Sequence, residues 1–153
     1  IIEGGKIMSR IYLAGPFFSE EQIERVSKIE KALEENKTVS SFYSPRHHQE
    51  SNYELFTAGW AQEVYEKDME ELTAADFVVA ILDYEHQSTD PGTAYEIGAA
   101  TMMNKPMIVF QEETVPTNLM ITQSLHTYLK SVDEIRNYDF EKLPVTAYVG
   151  EYL

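Results

Sequence analysis

A chain of 153 residues is long enough to bury one sheet-centred core and short for two, so a single domain is expected. Its 26 acidic against 12 basic side chains give a formal charge of −14, which repels a phosphate backbone and argues against long nucleic acids as partners. The absence of cysteine excludes disulfides, thiol catalysis and thiolate-held metals, and with no apolar run of membrane-spanning length and no signal-peptide pattern the expectation is a cytoplasmic protein without a membrane partner.

Residues 1–7 contain Ile2-Glu3-Gly4 ahead of Met8 and read as a leftover protease-site linker, which leaves 8–153 as the domain. Arg10 to Gly15 reads as a short strand running into a glycine turn. Ser19-Glu20-Glu21-Gln22 is a capping box, and Ile23, Val26, Ile29 and Leu33 recur at helical steps until Asn36 and Lys37. Val39 to Tyr43 predicts a second strand, stopped by Ser44-Pro45 before a polar loop with Arg46, His47, His48, Gln49 and Ser51. Tyr53 to Thr73 is helical in pattern, and Asp76 to Leu82 is a continuous apolar run of the kind covered on both faces. A loop from Asp83 to Asp90 leads to Pro91, which opens a small-residue helix to about Met103. Pro106 to Phe110 predicts another buried strand, Asn118 to Gln123 a short helix, Leu125 to Leu129 a last strand and Val132 to Asn137 a last helix, followed by an aromatic tail. Alternating strands and helices predict an α/β fold, a doubly wound, mostly parallel five-stranded sheet of flavodoxin-like or Rossmann-like type with helices on both faces. Ligands in such sheets bind beyond the carboxyl ends of the strands, so the loops after Leu13, Leu82 and Phe110 are expected to surround the site.

Three acidic residues stand out against this pattern. Asp68 falls on the row Trp60, Val64, Asp68, Leu72, and a charge in an apolar stripe needs a buried partner or a cavity unless the helix is rotated enough to bring it to the edge. Asp90 is placed to cap the helix that Pro91 opens, a role sufficient in itself. Glu96 lies inside that helix among Gly92, Ala94, Gly98, Ala99 and Ala100, whose small size admits a ligand or a neighbouring backbone. A solvated glutamate on a helix surface needs no function, but the address of Glu96, past the strongest central strand, is where the site is expected. Carboxylates converging on one crevice suit a glycosidic bond, because one attacks while another, held protonated, assists the leaving group. A divalent metal is the alternative, although no ligand spacing supports it and no metal or cofactor is expected. Neither a Gly-x-Gly-x-x-Gly turn nor a Walker lysine nor a Gly-x-Ser-x-Gly elbow is present. Phe17, Phe18 and Trp60 offer flat surfaces for a base, or are simply core.

Together, Ile11-Tyr12-Leu13-Ala14-Gly15-Pro16-Phe17-Phe18, the Trp60 and Asp68 pair, Asp90 ahead of Gly92-Thr93-Ala94-Tyr95-Glu96-Ile97-Gly98, Asn118-Leu119-Met120 and the aromatic C-terminus resemble nucleoside 2-deoxyribosyltransferases. The resemblance runs from Met8 to Leu153 in order. It implies an enzyme of nucleotide salvage that moves 2-deoxyribose between deoxynucleosides and free nucleobases. Glu96 would be the covalent nucleophile, oriented by Tyr12, and Asp68 and Asp90 would contact the base and exchange its proton, either being the acid. Gly15, Phe17 and Trp60 would line the substrate. Asn118 and Met120 match positions that reach a neighbouring subunit's site, which implies a homo-oligomer, a hexamer by family expectation. Tyr152 resembles a terminal tyrosine that closes the site, but Leu153 follows it here. The rival expectations are a hydrolase of deoxynucleoside 5′-monophosphates, disfavoured by Glu20 and Glu21 where a phosphate would bind, and a non-catalytic nucleoside-binding domain.

Overall fold

The computed structural model describes residues 2–3, 6–7, 9–87 and 89–153. The expected leader, residues 1–7, lies partly outside them; its Ile2–Glu3 and Lys6–Ile7 pair as a small antiparallel ribbon. The main sheet has five strands, β1 (Arg10–Ala14), β2 (Ser41–Tyr43), β3 (Phe77–Ile81), β4 (Met107–Phe110) and β5 (Thr127–Leu129). All are parallel, in the spatial order β2-β1-β3-β4-β5, so strand order reverses between β1 and β3. The helices are α1 (Glu20–Glu35), α2 (Ala58–Ala74), α3 (Pro91–Met102), α4 (Leu119–Thr122) and α5 (Val132–Asn137). This is the doubly wound α/β fold that the sequence predicts.

Successive strand side chains point to opposite faces, and the core divides accordingly. Ile11, Leu13, Val79, Ile81, Ile108, Phe110 and Leu129 pack with Val26, Ile29 and Leu33 of α1 and Ile135 of α5. Tyr12, Ala14, Val78, Ala80, Val109 and Tyr128 pack on the other face with Leu72 of α2, Ile97 and Ala100 of α3 and Ile121 of α4. On the first face Tyr138 bonds to Thr127 and buried Asn36 bonds to the carbonyls of Ile135 and Tyr138, whereas on the second the nearly fully buried tyrosine is Tyr12, in the middle of the sheet.

Local signals account for most boundaries. Ser19 accepts from Gln22 N–H at 3.2 Å, while the Gln22 side chain reaches back to Phe18 N–H at 2.7 Å, one residue beyond the usual box. The second helix starts at Ala58 rather than Tyr53, because Phe56 adopts φ 64° and Thr57 supplies the cap. Pro45–His47 forms a single 3₁₀ turn after β2. No helix among the described residues is long and apolar enough to cross a membrane.

Candidate active site

Tyr12 sits in the middle of β1, and strand alternation aims it at the α2 and α3 side, where it is 1% exposed. Facing it, α3 is nucleated by Asp90: the Asp90 Oδ2 accepts Thr93 N–H at 2.9 Å and Thr93 Oγ1 at 3.2 Å, and Pro91 occupies the first helical position. Further along α3, the Glu96 Oε2 is buried and completes no hydrogen bond. The Tyr12 hydroxyl is buried as well and lies close enough to act on Glu96 as a hydrogen-bond donor, although the pair falls short of a well-formed hydrogen bond. Asp68 comes from α2, where Leu72 is buried and Asp68 half-buried; its Oδ1 accepts the Tyr43 hydroxyl at 3.0 Å. The charged member of the apolar row thus faces the interior with a partner.

Burial pushes the Glu96 carboxyl up to about 7, the Tyr12 hydroxyl opposes the shift, and the charges of Asp68 and Asp90 add to it. Burial also raises Asp68, against the hydrogen bond from Tyr43 and the cations of Lys67 and His48. The Tyr12 phenol is driven well above its ordinary range by burial and by Glu96 and Asp68, so it stays a donor. Both carboxyl groups thus hold their protons more tightly than exposed ones do. In chemical terms, two such carboxyl groups can divide the work of a glycosidic bond, one attacking and the other giving a proton.

The remaining expected site residues fall into two groups. Phe17 is half-buried against Phe18, with ring centroids 5.3 Å apart. Trp60 buries an unpartnered Nε1 and borders a cavity of about 610 Å3 with Gln49, Ser51 and Tyr53. Gly15 has a packing role: a Cβ there would lie 3.1 Å from Ile81, so its absence lets the end of β1 close on β3. Asn118, Met120 and Tyr152 gather elsewhere. Asn118 caps α4 by accepting Met120 N–H at 2.9 Å, Met120 is 73% exposed, and Tyr152 pairs with Thr117 in an isolated bridge. Among the described residues no hydrogen bond joins these three to Tyr12, Asp68, Asp90 or Glu96. Asn118 and Met120 instead line a groove of about 520 Å3 with Ala94, Ile97 and Gly98 of α3, and a Cβ on Gly98 would meet nothing within 4 Å.

Of the expected loops, the two after Leu13 and Leu82 lead into α1 and α3, the latter through Asp90. The loop after Phe110 is tied to buried Asp83, which accepts Glu112 and Glu113 N–H at 2.9 and 2.8 Å. Sequence reasoning missed Tyr43 and His48. The signal was the register: Tyr43 pairs with Tyr12 across β1 and β2, which puts both on one face. The Arg46 guanidinium is paired with Glu30 at 2.6 Å, and the His47 Nε2 lies 3.2 Å from the same carboxylate. Glu21, His86 and Glu113 bring possible metal ligands within 4.8 Å of one another, but the Arg25 guanidinium stands 3.1 Å from Glu21 and 3.8 Å from Glu113 and supplies the positive charge there.

Residues 11–140 match the family described as nucleoside 2-deoxyribosyltransferase. A nucleoside deoxyribosyltransferase of Limosilactobacillus fermentum is 27% identical, over 86% of each chain. The solved 2-deoxyribosyltransferase of Bacillus psychrosaccharolyticus is 38% identical, covers 92% of this chain and 100% of its own, and superposes with a TM-score of 0.83. A CMP N-glycosidase of Clostridium botulinum shares the fold at 20% identity and a TM-score of 0.52, covering 88% of this chain and 95% of its own.

Proposed function

The chain belongs to the nucleoside 2-deoxyribosyltransferase family, and on that premise we propose that it transfers 2-deoxyribose between nucleobases by a retaining double displacement. The observation that carries the reading is the buried Glu96 Oε2 beside the buried Tyr12 hydroxyl, with no well-formed hydrogen bond on either atom. A buried carboxylate oxygen with no well-formed hydrogen bond is costly unless a substrate supplies the compensation, here the electron-poor anomeric carbon. Glu96 attacks C1′ from the face opposite the base, the C1′–N bond breaks, and its electron pair leaves with the base. A second base then attacks the deoxyribosyl ester and restores the configuration.

In this reading Asp68 rather than Asp90 exchanges the proton of the base. Asp90 commits Oδ2 to Thr93 and the start of α3, whereas burial raises Asp68 and favours its protonated form. Positive charge developing on the sugar favours ionised Glu96, and the departing base takes its proton from Asp68. Trp60 and Phe17 offer apolar surface for the base.

The hydrolysis of nucleoside monophosphates is the second reading, suggested by the likeness in fold to the CMP N-glycosidase. A 5′-phosphate needs free cations, and Arg46 is engaged by Glu30 while Arg25 is engaged by Glu21 and Glu112. Neutral nucleosides therefore fit better. The groove bearing Asn118 and Met120, separate from Glu96 in one chain, supports a homo-oligomer, up to a hexamer, in which these side chains complete a neighbour's site.

Incubation with thymidine and adenine tests the proposal. Deoxyadenosine is the expected product; free 2-deoxyribose alone would make the protein a hydrolase, and unchanged thymidine would leave only binding.

A further inference from the structure

We propose that Tyr43 is the positioning residue for Asp68, and that its hydroxyl, held on Oδ1, makes Oδ2 the oxygen that exchanges a proton with the nucleobase. The inference rests on the transferase reading above and deepens it. Tyr43 ends β2 and donates to Asp68 Oδ1 at 3.0 Å. Its ring lies between two others: Tyr12 at 5.7 Å and 26° on the inner side, and His48 at 4.4 Å and 15° on the outer. A phenol clamped on both faces keeps its hydroxyl in one place, so Asp68 is held by a fixed donor rather than by mobile water.

The stack also links the two carboxylates. Tyr12 at its inner end neighbours Glu96 and Tyr43 holds Asp68, so the nucleophile and the acid are spaced by ring contacts. Lys67 fixes the outer end by donating to the carbonyls of Glu50 at 3.1 Å and His48 at 3.5 Å. The groups facing Asp68 are thus Tyr43 and His48 from β2 and its loop, Lys67 and Glu71 from its own helix, and Tyr12 and Glu96 from β1 and α3.

A carboxylic acid carries its proton on one oxygen. With Oδ1 accepting from Tyr43, the proton resides on Oδ2, which gives it to the base as the C1′–N electron pair arrives there and the Glu96 oxygen bonds to C1′. In the second half the incoming base returns a proton to the same atom. The burial of Tyr43 and the charge of Asp68 hold the phenol above its ordinary range, so Tyr43 keeps its own proton throughout.

Tyr43→Phe retains the stacked ring and removes only the hydroxyl. Single-turnover release of thymine from thymidine should fall about 10- to 100-fold. Release of nitrophenolate from p-nitrophenyl 2-deoxyribofuranoside should change by less than about 2-fold, because that leaving group departs without a proton. The limb of the pH profile that reports Asp68 should move to higher pH, since the lost donor favoured the carboxylate. Equal losses on both substrates, or unchanged thymine release, would overturn the proposal. Should Tyr43→Phe fail to fold, His48→Ala, which removes the outer ring alone, should show a smaller loss confined to thymidine, and equal losses there would overturn it too. Wild-type protein that releases neither thymine nor nitrophenolate would instead remove the transferase reading itself.

Discussion

The Tyr12 hydroxyl and the Glu96 Oε2 are buried near one another, one from the central region of the sheet and one from the helix that covers it, short of a well-formed hydrogen bond. Burial is the largest reason that the glutamate is pushed up to about 7, so the protein holds a reactive group at a cost to its own stability.

That cost has a direction. A carboxyl whose proton affinity is raised on folding binds more protons folded than unfolded between about pH 4.5 and 7, so stability falls as pH rises through that window. Glu96→Gln, which cannot ionise, should be more stable than wild type at pH 8 by about 1–3 kcal/mol and nearly equal to it at pH 4. Urea unfolding at the two pH values measures this, and a gain that is the same at both would contradict the burial of charge. Glu96→Ala should lower transfer by at least about 1000-fold while the fold persists.

Activity should be bell-shaped in pH. The competent state has one proton on the Glu96 and Asp68 pair, so kcat/KM should fall above about pH 7, where the pair loses its last proton, and fall again in acid, where both are protonated. A profile still rising beyond pH 8 would mean that no acid takes part.

Tyr12→Phe should leave the fold intact, since the ring is retained, and reduce transfer by about 10- to 100-fold. Because the tyrosine hydroxyl lowers the proton affinity of Glu96, its loss should also move the falling limb to higher pH. Loss of activity with an unmoved limb would assign Tyr12 to packing.

Asp90 serves as both cap and charge, and two substitutions separate these roles. Asp90→Asn keeps an acceptor for Thr93 N–H and should cost little stability, whereas Asp90→Ala should cost about 1 kcal/mol. Both remove a negative charge that raises Glu96, so both should shift its titration to lower pH. Thermal unfolding and the pH profile report on the two effects independently.

If Asn118 and Met120 complete a neighbour's site, inactive Glu96→Ala and inactive Asn118→Ala subunits should complement one another after mixing under dissociating conditions. Random assembly would restore about a quarter of the sites. No recovery, in an oligomer shown to have exchanged subunits, would confine each site to one chain.

The architecture was legible because hydrophobic period, glycine turns and caps agree along most of the chain. Asp76 to Leu82 reads as a doubly covered strand and is one, and Asp90-Pro91 marks the start of α3 to the residue. Glu96 and Asp68 stood out as charges where the pattern asks for apolar or small residues. Tyr43 did not, because a tyrosine in a strand violates no rule; its part depends on β2 lying beside β1 in register, a long-range fact that no local pattern encodes. Beside the substrate contact expected of Gly15, its closeness to Ile81 gives it a structural reason that only packing reveals. Phe56 moved the start of α2 through a left-handed backbone, a conformation that a bulky aromatic seldom adopts and so seldom announces.

The alternation of side chains along the strands works as a partition wall. The α1 and α5 side of the sheet is mostly apolar filling, while Tyr12 and the helices α2 and α3 that carry Asp68 and Glu96 belong to the opposite side. A protein engineer could therefore harden the first compartment, improving packing around Ile29, Phe110 and Ile135, while leaving the buried carboxyl groups of the second untouched.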